Sequence, residues 1–177
     1  MVRKAFVKDV DAIYEIIESF ARAGVMLFRT NAEIYAAIRD FFVYEENGVT
    51  AGVCSLHVWG PDIGEIRSLA VKSGSTGRGI GRSLVQACLD EARALGVKKV
   101  FALTYKTGFF ERLGFIPADK VKLPQKIWGD CVKCSKFPSC DESAVIIELN
   151  PGDNPLYPPA SNTRAHAPLQ RGRKRTA

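Results

Sequence analysis

The stretch STGRGIGRSLV, Ser75 to Val85, sets glycines at 77, 79 and 81, follows them with an arginine and a serine, and then turns apolar. Upstream, GEIRSLAV (Gly64 to Val71) reads as a strand. Downstream, Leu84, Val85, Cys88, Ala92 and Leu95 recur at helical spacing until Gly96, a natural helix stop. A strand, a glycine loop and a long helix leave unpaired backbone N–H groups at the helix N-terminus, together with the positive end of its dipole, which is an anion site. Glycines keep side chains away, so a phosphate or diphosphate reaches the main chain itself. Two common phosphate motifs do not fit. A Walker loop ending at Gly81-Arg82-Ser83 needs a glycine where Thr76 stands and a lysine where Arg82 stands. A dinucleotide fingerprint needs its third glycine one residue later than Gly81 and a run of β-α-β units around it.

The remaining pattern sums to a mixed α/β sheet. Val2 to Val7 is strand-like, and Asp9 is placed to cap a helix with Val10, Ile13, Ile16, Ile17 and Phe20 on one face, stopped at Gly24. Thr30 and Glu33 have capping-box spacing before a short helix carrying Ile34, Tyr35 and Ile38. Phe41 to Glu45 and Val49 to Trp59 flank Asn47-Gly48, a hairpin dipeptide. Further strands are expected at Val100 to Thr104 and Ser143 to Leu149, with a short helix in TGFFERLGF closed by Gly114.

With 46% hydrophobic and 25% charged residues, the 177-residue chain has an ordinary globular composition, and it contains neither a membrane-length apolar run nor a secretory signal. A cytoplasmic protein with no membrane partner is expected. Most of the +6 net charge sits in the tail, where Arg164, Arg171, Arg173, Lys174 and Arg175 face Asp153 alone. The body is close to neutral, so nucleic acid is not an expected partner except through that tail. One domain over residues 1–149 and a disordered Pro- and Arg-rich basic tail over 150–177 are expected.

The segment EIRSLAVKSGSTGRGIGRSLVQACLDEARALG, Glu65 to Gly96, resembles the coenzyme A motif of the GCN5-related N-acetyltransferases, the GNAT superfamily, and the order of elements agrees. The resemblance implies the GNAT fold, a mixed and mostly antiparallel twisted sheet flanked by helices, with acetyl-CoA as co-substrate. It implies that Leu69, Ala70 and Val71 meet the pantetheine arm on a strand that splays from its neighbour at a bulge, and that Gly77, Arg78, Gly79, Ile80, Gly81 and Arg82 surround the diphosphate. Thr76 stands where the family motif begins with Gln or Arg. Acetyl transfer needs a neutral amine, and Glu65 matches the position of a glutamate that acts through a water in many members. The tyrosine that reprotonates the leaving thiolate is replaced here by Phe110, with Tyr105 nearby in sequence.

More specifically, GVMLFRTNAEIYAAIRDFFVYEENGVTAGVCSLHVW with EIRSLAV looks like the acetyltransferase domain of the N-acetylglutamate synthases, over about Val2 to Leu149. That resemblance implies a glutamate substrate whose carboxylate is held by Arg29, with Lys106 and Thr107 as further substrate contacts, and Arg39 and Arg67 as weaker candidates. The length matches the short, stand-alone synthases, and a homodimer is plausible from the family. Open alternatives are acetylation of another amine (glutamine, a polyamine, an antibiotic, a protein N-terminus) and a CoA- or RNA-binding regulator without chemistry.

Cys131, Cys134 and Cys140 form a C-x2-C-x5-C cluster that suggests zinc or an iron–sulfur cluster, with Asp141, His57 or another Cys as fourth ligand. Only one C-x2-C pair is present, so free thiols in a reducing cytosol are the expected reading, with no metal. Cys54 and Cys88 are expected in the core, and His57 and His166 show no ligand spacing.

Overall fold

The computed structural model describes residues 1–123, 131–132, 134, 136–137 and 139–149. The tail over 150–177 and His166 lie outside the described residues. In chain order the elements are β1 (Val2–Lys4), α1 (Val10–Arg22), α2 (Asn31–Ala36), β2 (Phe41–Glu46), β3 (Val49–Val58), β4 (Ile63–Val71), α3 (Ile80–Ala94), β5 (Lys99–Thr104), α4 (Thr107–Glu111), β6 (Ile116–Ala118) and β7 (Ser143–Glu148). The strands make one seven-stranded sheet in the order β1-β2-β3-β4-β5-β7-β6, antiparallel except where β4 meets β5.

Local chemistry sets most boundaries. Asn47 and Gly48 adopt φ of 50° and 76°, the positive values a two-residue hairpin turn requires, and Glu46 pairs with Val49 across it. The capping box at α2 closes in both directions: Thr30 Oγ1 accepts the Glu33 N–H at 3.2 Å, and Glu33 Oε2 accepts the Thr30 N–H at 2.9 Å. Asp9 does not cap α1. Its carboxylate turns back to accept the Phe6 N–H at 2.7 Å and two guanidinium bonds from Arg3 at 2.6 and 2.9 Å, which tie β1 to the start of α1 and hold the carboxyl below its ordinary pKa. The side chain binds Arg3 and the Phe6 N–H that opens the 3-10 turn leading into α1, and no N–H of α1 itself.

Helices cover both faces of the sheet. On one face α1 and α2 bury Ile13, Ile16, Ile17 and Ile34 against Val43, Val53 and Ala70. On the other, α3 and α4 bury Ile80, Leu84, Cys88 and Phe110 against Cys54, Ile66, Val100 and Val145. Gly52 lets α3 come this close: a Cβ there would sit 3.0 Å from Ile80 Cγ2 and 3.2 Å from the Ala70 carbonyl oxygen. Cys54 and Cys88 are fully buried with their sulfurs 3.5 Å apart, as a small apolar pair whose Cys88 thiol is pushed well up by its hydrogen bond to Cys54 and by burial. Strand residues alternate faces, so Phe101 and Leu103 point away from α3 and join Leu123, Ala144 and Cys131 in a third cluster.

Candidate active site

The site begins where two strands part. β4 and β5 run parallel and pair only through Ile63 with Lys99, Gly64 with Val100 and Glu65 with Phe101. Beyond Glu65 no pairing with β5 continues, which opens the facing strand edges to a ligand. On its other edge β4 carries a bulge: the register with β3 moves from Val53–Ala70 to Ser55–Arg67, so Ser68 and Leu69 oppose Cys54 alone. Ser68 sits at φ 51°, a strained value for a residue with a Cβ, and Ser55 Oγ donates to the Arg67 carbonyl oxygen at 3.1 Å to hold the turn of the strand.

A cavity of about 900 Å³ fills the gap between the strands, and a second of about 410 Å³ adjoins the glycine loop, with Val71, Thr76, Gly81, Phe109 and Arg112 lining both. Leu69, Ala70 and Val71 line the first; Gly77, Gly79, Ile80, Gly81 and Arg82 line the second. Gly79 is the N-cap of α3 at φ 79°, and no side chain caps the helix. Among the described residues, the N–H groups of Gly77 to Arg82 donate to no protein acceptor, while Ser83 N–H already reaches Gly79 at 3.0 Å. These open amides at the end of a 15-residue helix form a cradle for an anion. The Thr76 hydroxyl turns to its own loop and donates to the Ser73 carbonyl oxygen at 3.0 Å. The Arg78 side chain makes a fork to Glu46 at 2.9 and 2.5 Å, and Arg78 is not among the lining residues of either cavity.

The residues put forward from sequence for substrate and catalysis, Arg29, Glu65, Tyr105, Lys106 and Thr107, all line the larger cavity. Glu65 is 7% exposed at the point of divergence. The Trp59 indole N–H donates to its Oε2 at 2.6 Å, and Arg67 Nε stands 3.9 Å from the same oxygen. Tyr105 donates to Asp141 Oδ1 at 2.7 Å and accepts from Lys136 Nζ at 2.8 Å. Burial pushes its pKa upward. Phe110 is core, packed edge-on to Phe109 and Phe115. Arg67 lines the cavity, whereas Arg39, on the turn before β2, is not among its lining residues.

Sequence reasoning did not place the segment around residues 131–142 over this cavity. Cys131, Cys134, Lys136, Phe137, Cys140 and Glu142 line it. Burial raises the Cys131 thiol to about 11 and also lifts the Glu142 carboxyl above its ordinary range. Among the described residues no group of three or more His, Cys, Asp or Glu side chains is arranged to hold a metal ion. His57 Nδ1 lies 2.7 Å from Asp40 Oδ2, and its ring meets Trp59 edge-on at 4.8 Å. Nothing local in the sequence signals either contact. Among the described residues no helix is long and apolar enough to cross a membrane.

Comparison with known proteins is consistent with this geometry. The model of the acetyltransferase (GNAT) family matches residues 10–115. The chain is 42% identical over 148 residues to an uncharacterized N-acetyltransferase of Chlorobaculum tepidum, covering 84% of this chain and 96% of that protein. It is 35% identical over 133 residues to the amino-acid acetyltransferase of Mycobacterium tuberculosis, covering 73% and 76%. Among solved structures, that of Rv2747 from Mycobacterium tuberculosis in complex with CoA and NLQ superposes with a TM-score of 0.74 at 30% identity over 85% of this chain and 99% of the other. N-acetylglutamate synthase from Neisseria gonorrhoeae, complexed with coenzyme A and N-acetyl-glutamate, gives 0.78 at 26% identity, over 85% of this chain and 35% of that one. With its parted strands, amide cradle and family match, the chain belongs to the GNAT family of acetyltransferases.

Proposed function

We propose that this protein transfers the acetyl group of acetyl-CoA to the α-amino group of L-glutamate, the opening reaction of arginine biosynthesis. The observation that carries the reading is the meeting, in one cavity, of the open β4 edge, a buried carboxylate where the strands part, and an excess of cations: Arg29, Arg67, Lys106, Arg112 and Lys136 against Glu65 and Glu142. The diphosphate rests on the amides of Gly77 to Arg82 and the pantetheine arm runs along Leu69 to Val71, which brings the thioester towards Glu65. That two similar solved structures are complexes with coenzyme A, one of them also with N-acetyl-glutamate, supports the choice of acetyl donor and of substrate class. A positive cavity favours an acidic amine over a basic one.

In this reading Arg29 binds substrate carboxylate, with Lys106 and Thr107 beside it, and Glu65 takes a proton from the substrate ammonium through a water. The neutral amine attacks the acetyl carbonyl carbon. Collapse of the tetrahedral intermediate breaks the carbon–sulfur bond, the sulfur leaves as thiolate, and the surplus proton on the new amide nitrogen passes to solvent water, as does the proton held by Glu65. Tyr105 serves that thiolate as a hydrogen-bond donor by turning its one O–H from Asp141 to the sulfur. Its raised pKa makes it a weaker acid than a thiol, whose ordinary value is about 8.5, so full proton transfer from it is uphill.

The test is turnover of acetyl-CoA with a panel of amines. Glutamate is expected to give the highest kcat/KM, and faster acetylation of glutamine, a polyamine or an aminoglycoside overturns the substrate assignment. Glu65→Gln is expected to lower kcat by about 100-fold or more while leaving acetyl-CoA affinity in place.

A further inference from the structure

Three side chains that the reaction scheme above does not use, Asp40, His57 and Trp59, form a chain of contacts that ends on Glu65. Trp59 follows β3 directly, and its N–H closes the β3–β4 connection onto the Ile63 carbonyl oxygen at 3.0 Å. This fixes the start of the side chain, and the indole folds back over β4, where it packs with Phe101, Leu123 and Ala144 and donates to Glu65 Oε2 at 2.6 Å. His57, the cross-strand register partner of Glu65, braces the other side of the indole edge-on at 4.8 Å. Asp40, on the turn before β2, holds His57 Nδ1 at 2.7 Å. A buttress of this kind fixes a carboxylate more tightly than its own two χ angles can.

We propose that Trp59 is a positioning residue for Glu65, setting the plane of the carboxylate that receives the substrate's proton, and that the His57–Asp40 pair braces Trp59. The inference rests on the reading of Glu65 as the base. An indole offers one N–H and no acceptor, so it can only stabilise a carboxylate oxygen and cannot compete for the substrate's proton. A carboxylate has about four acceptor sites, and the indole bond takes one of them. Among the described residues, Arg67 stands 3.9 Å away on the same strand, Cys131 interacts with Glu65 from the cavity wall, and the apolar Phe101 is opposite it on β5. Arg67 favours the charged carboxylate, and its guanidinium lies 5.7 Å from the Trp59 ring centroid, a cation–π contact that an aromatic ring at position 59 can still supply. The half-buried Cys131 thiol, pushed up to about 11, is neutral through the working range.

The experiment is the pH profile of kcat/KM for Trp59→Phe, which keeps an aromatic ring at the position and removes the N–H. Removing a donor from the charged form raises the pKa of the base, so the acid limb is expected to move up by about one pH unit, with kcat down roughly tenfold near that limb and KM for acetyl-CoA unchanged. His57→Phe should move the limb in the same direction by less. If Trp59→Phe does not fold, 3-benzothienylalanine at position 59 keeps the bicyclic shape with sulfur in place of the N–H, and the same shift is expected. A profile and kcat matching the parent protein in a folded variant overturn the positioning role. Loss of turnover in Glu65→Gln with an unshifted Trp59→Phe profile overturns this inference alone. Full turnover in Glu65→Gln overturns the base reading and the inference with it.

Discussion

Changing Gly79 to alanine separates the cradle from the rest of the fold. Gly79 caps α3 at φ 79°, ψ 1°, and a Cβ there meets nothing within 4 Å, so the substitution creates no clash and acts through the backbone alone. An L-residue in this left-handed region costs about 1 kcal/mol, which for a domain of this size is a fall in Tm of about 3 °C. The larger effect is local. The strain relaxes if the Ile80 and Gly81 amides swing away from their common aim, and losing one charge-assisted hydrogen bond to a phosphate oxygen costs about 2 kcal/mol, or roughly a 30-fold rise in Kd for acetyl-CoA. The control is Gly74→Ala, in the same connection, where φ is not positive and the added Cβ also meets nothing within 4 Å. Isothermal titration of acetyl-CoA into both variants, with thermal melts, is the assay. Parent-like affinity in Gly79→Ala, or equal weakening in Gly74→Ala, would refute the reasoning.

Arg29→Ala is expected to raise KM for glutamate at least tenfold with a smaller change in kcat, because a carboxylate contact is lost in ground and transition state alike; steady-state kinetics that match the parent protein would remove Arg29 from the substrate site. Tyr105→Phe should lower kcat less than tenfold, since Tyr105 donates a hydrogen bond rather than a whole proton; a loss of a thousandfold would make it the acid. Asp9→Asn should destabilise the fold by about 2 kcal/mol at pH 7. The Asp9 carboxyl is depressed by Arg3, so its contribution is present above the unfolded value of about 3.9 and fades as pH falls through the lower folded value. Melts of parent and variant should therefore converge below pH 4, and a gap that widens there contradicts the ion pair. A native thiol titration should reach Cys131, Cys134 and Cys140, which are partly exposed, and spare the buried Cys54 and Cys88; acetyl-CoA should slow the reaction, and unchanged rates would place those thiols away from the ligand.

Features encoded by a few adjacent residues were legible before the fold was seen. Asn47-Gly48, the Thr30–Glu33 box and the triple-glycine turn each specify a backbone conformation locally, and each forms. Arg29, Glu65, Tyr105, Lys106 and Thr107 came forward through the family resemblance rather than through any pattern in the residues, and they share one cavity. What the sequence hid depends on distance along the chain. Asp9 looked like a cap because nothing nearby announces Arg3 and Glu45, which form an ion-pair cluster with it. The short strand β6 contains Pro117, which reads against a strand, yet it lies at the sheet edge where a missing N–H is tolerated. The bulge at Ser68 has no glycine to mark its positive φ. Trp59 reads as another apolar residue at the end of a strand until the β3–β4 connection folds its indole onto Glu65.

The central claim is that main-chain amides at the start of α3 bind the diphosphate of the acetyl donor while the parted strands take its arm. Its most direct test is calorimetry of the parent protein with acetyl-CoA and, separately, with acetyl-pantetheine, which keeps the arm and lacks the diphosphate together with the adenosine 3′-phosphate beyond it. Two charge-assisted amide bonds of about 1.5 kcal/mol each give a difference of roughly 150-fold in favour of acetyl-CoA. Equal affinities, or no heat with either compound, would contradict the claim.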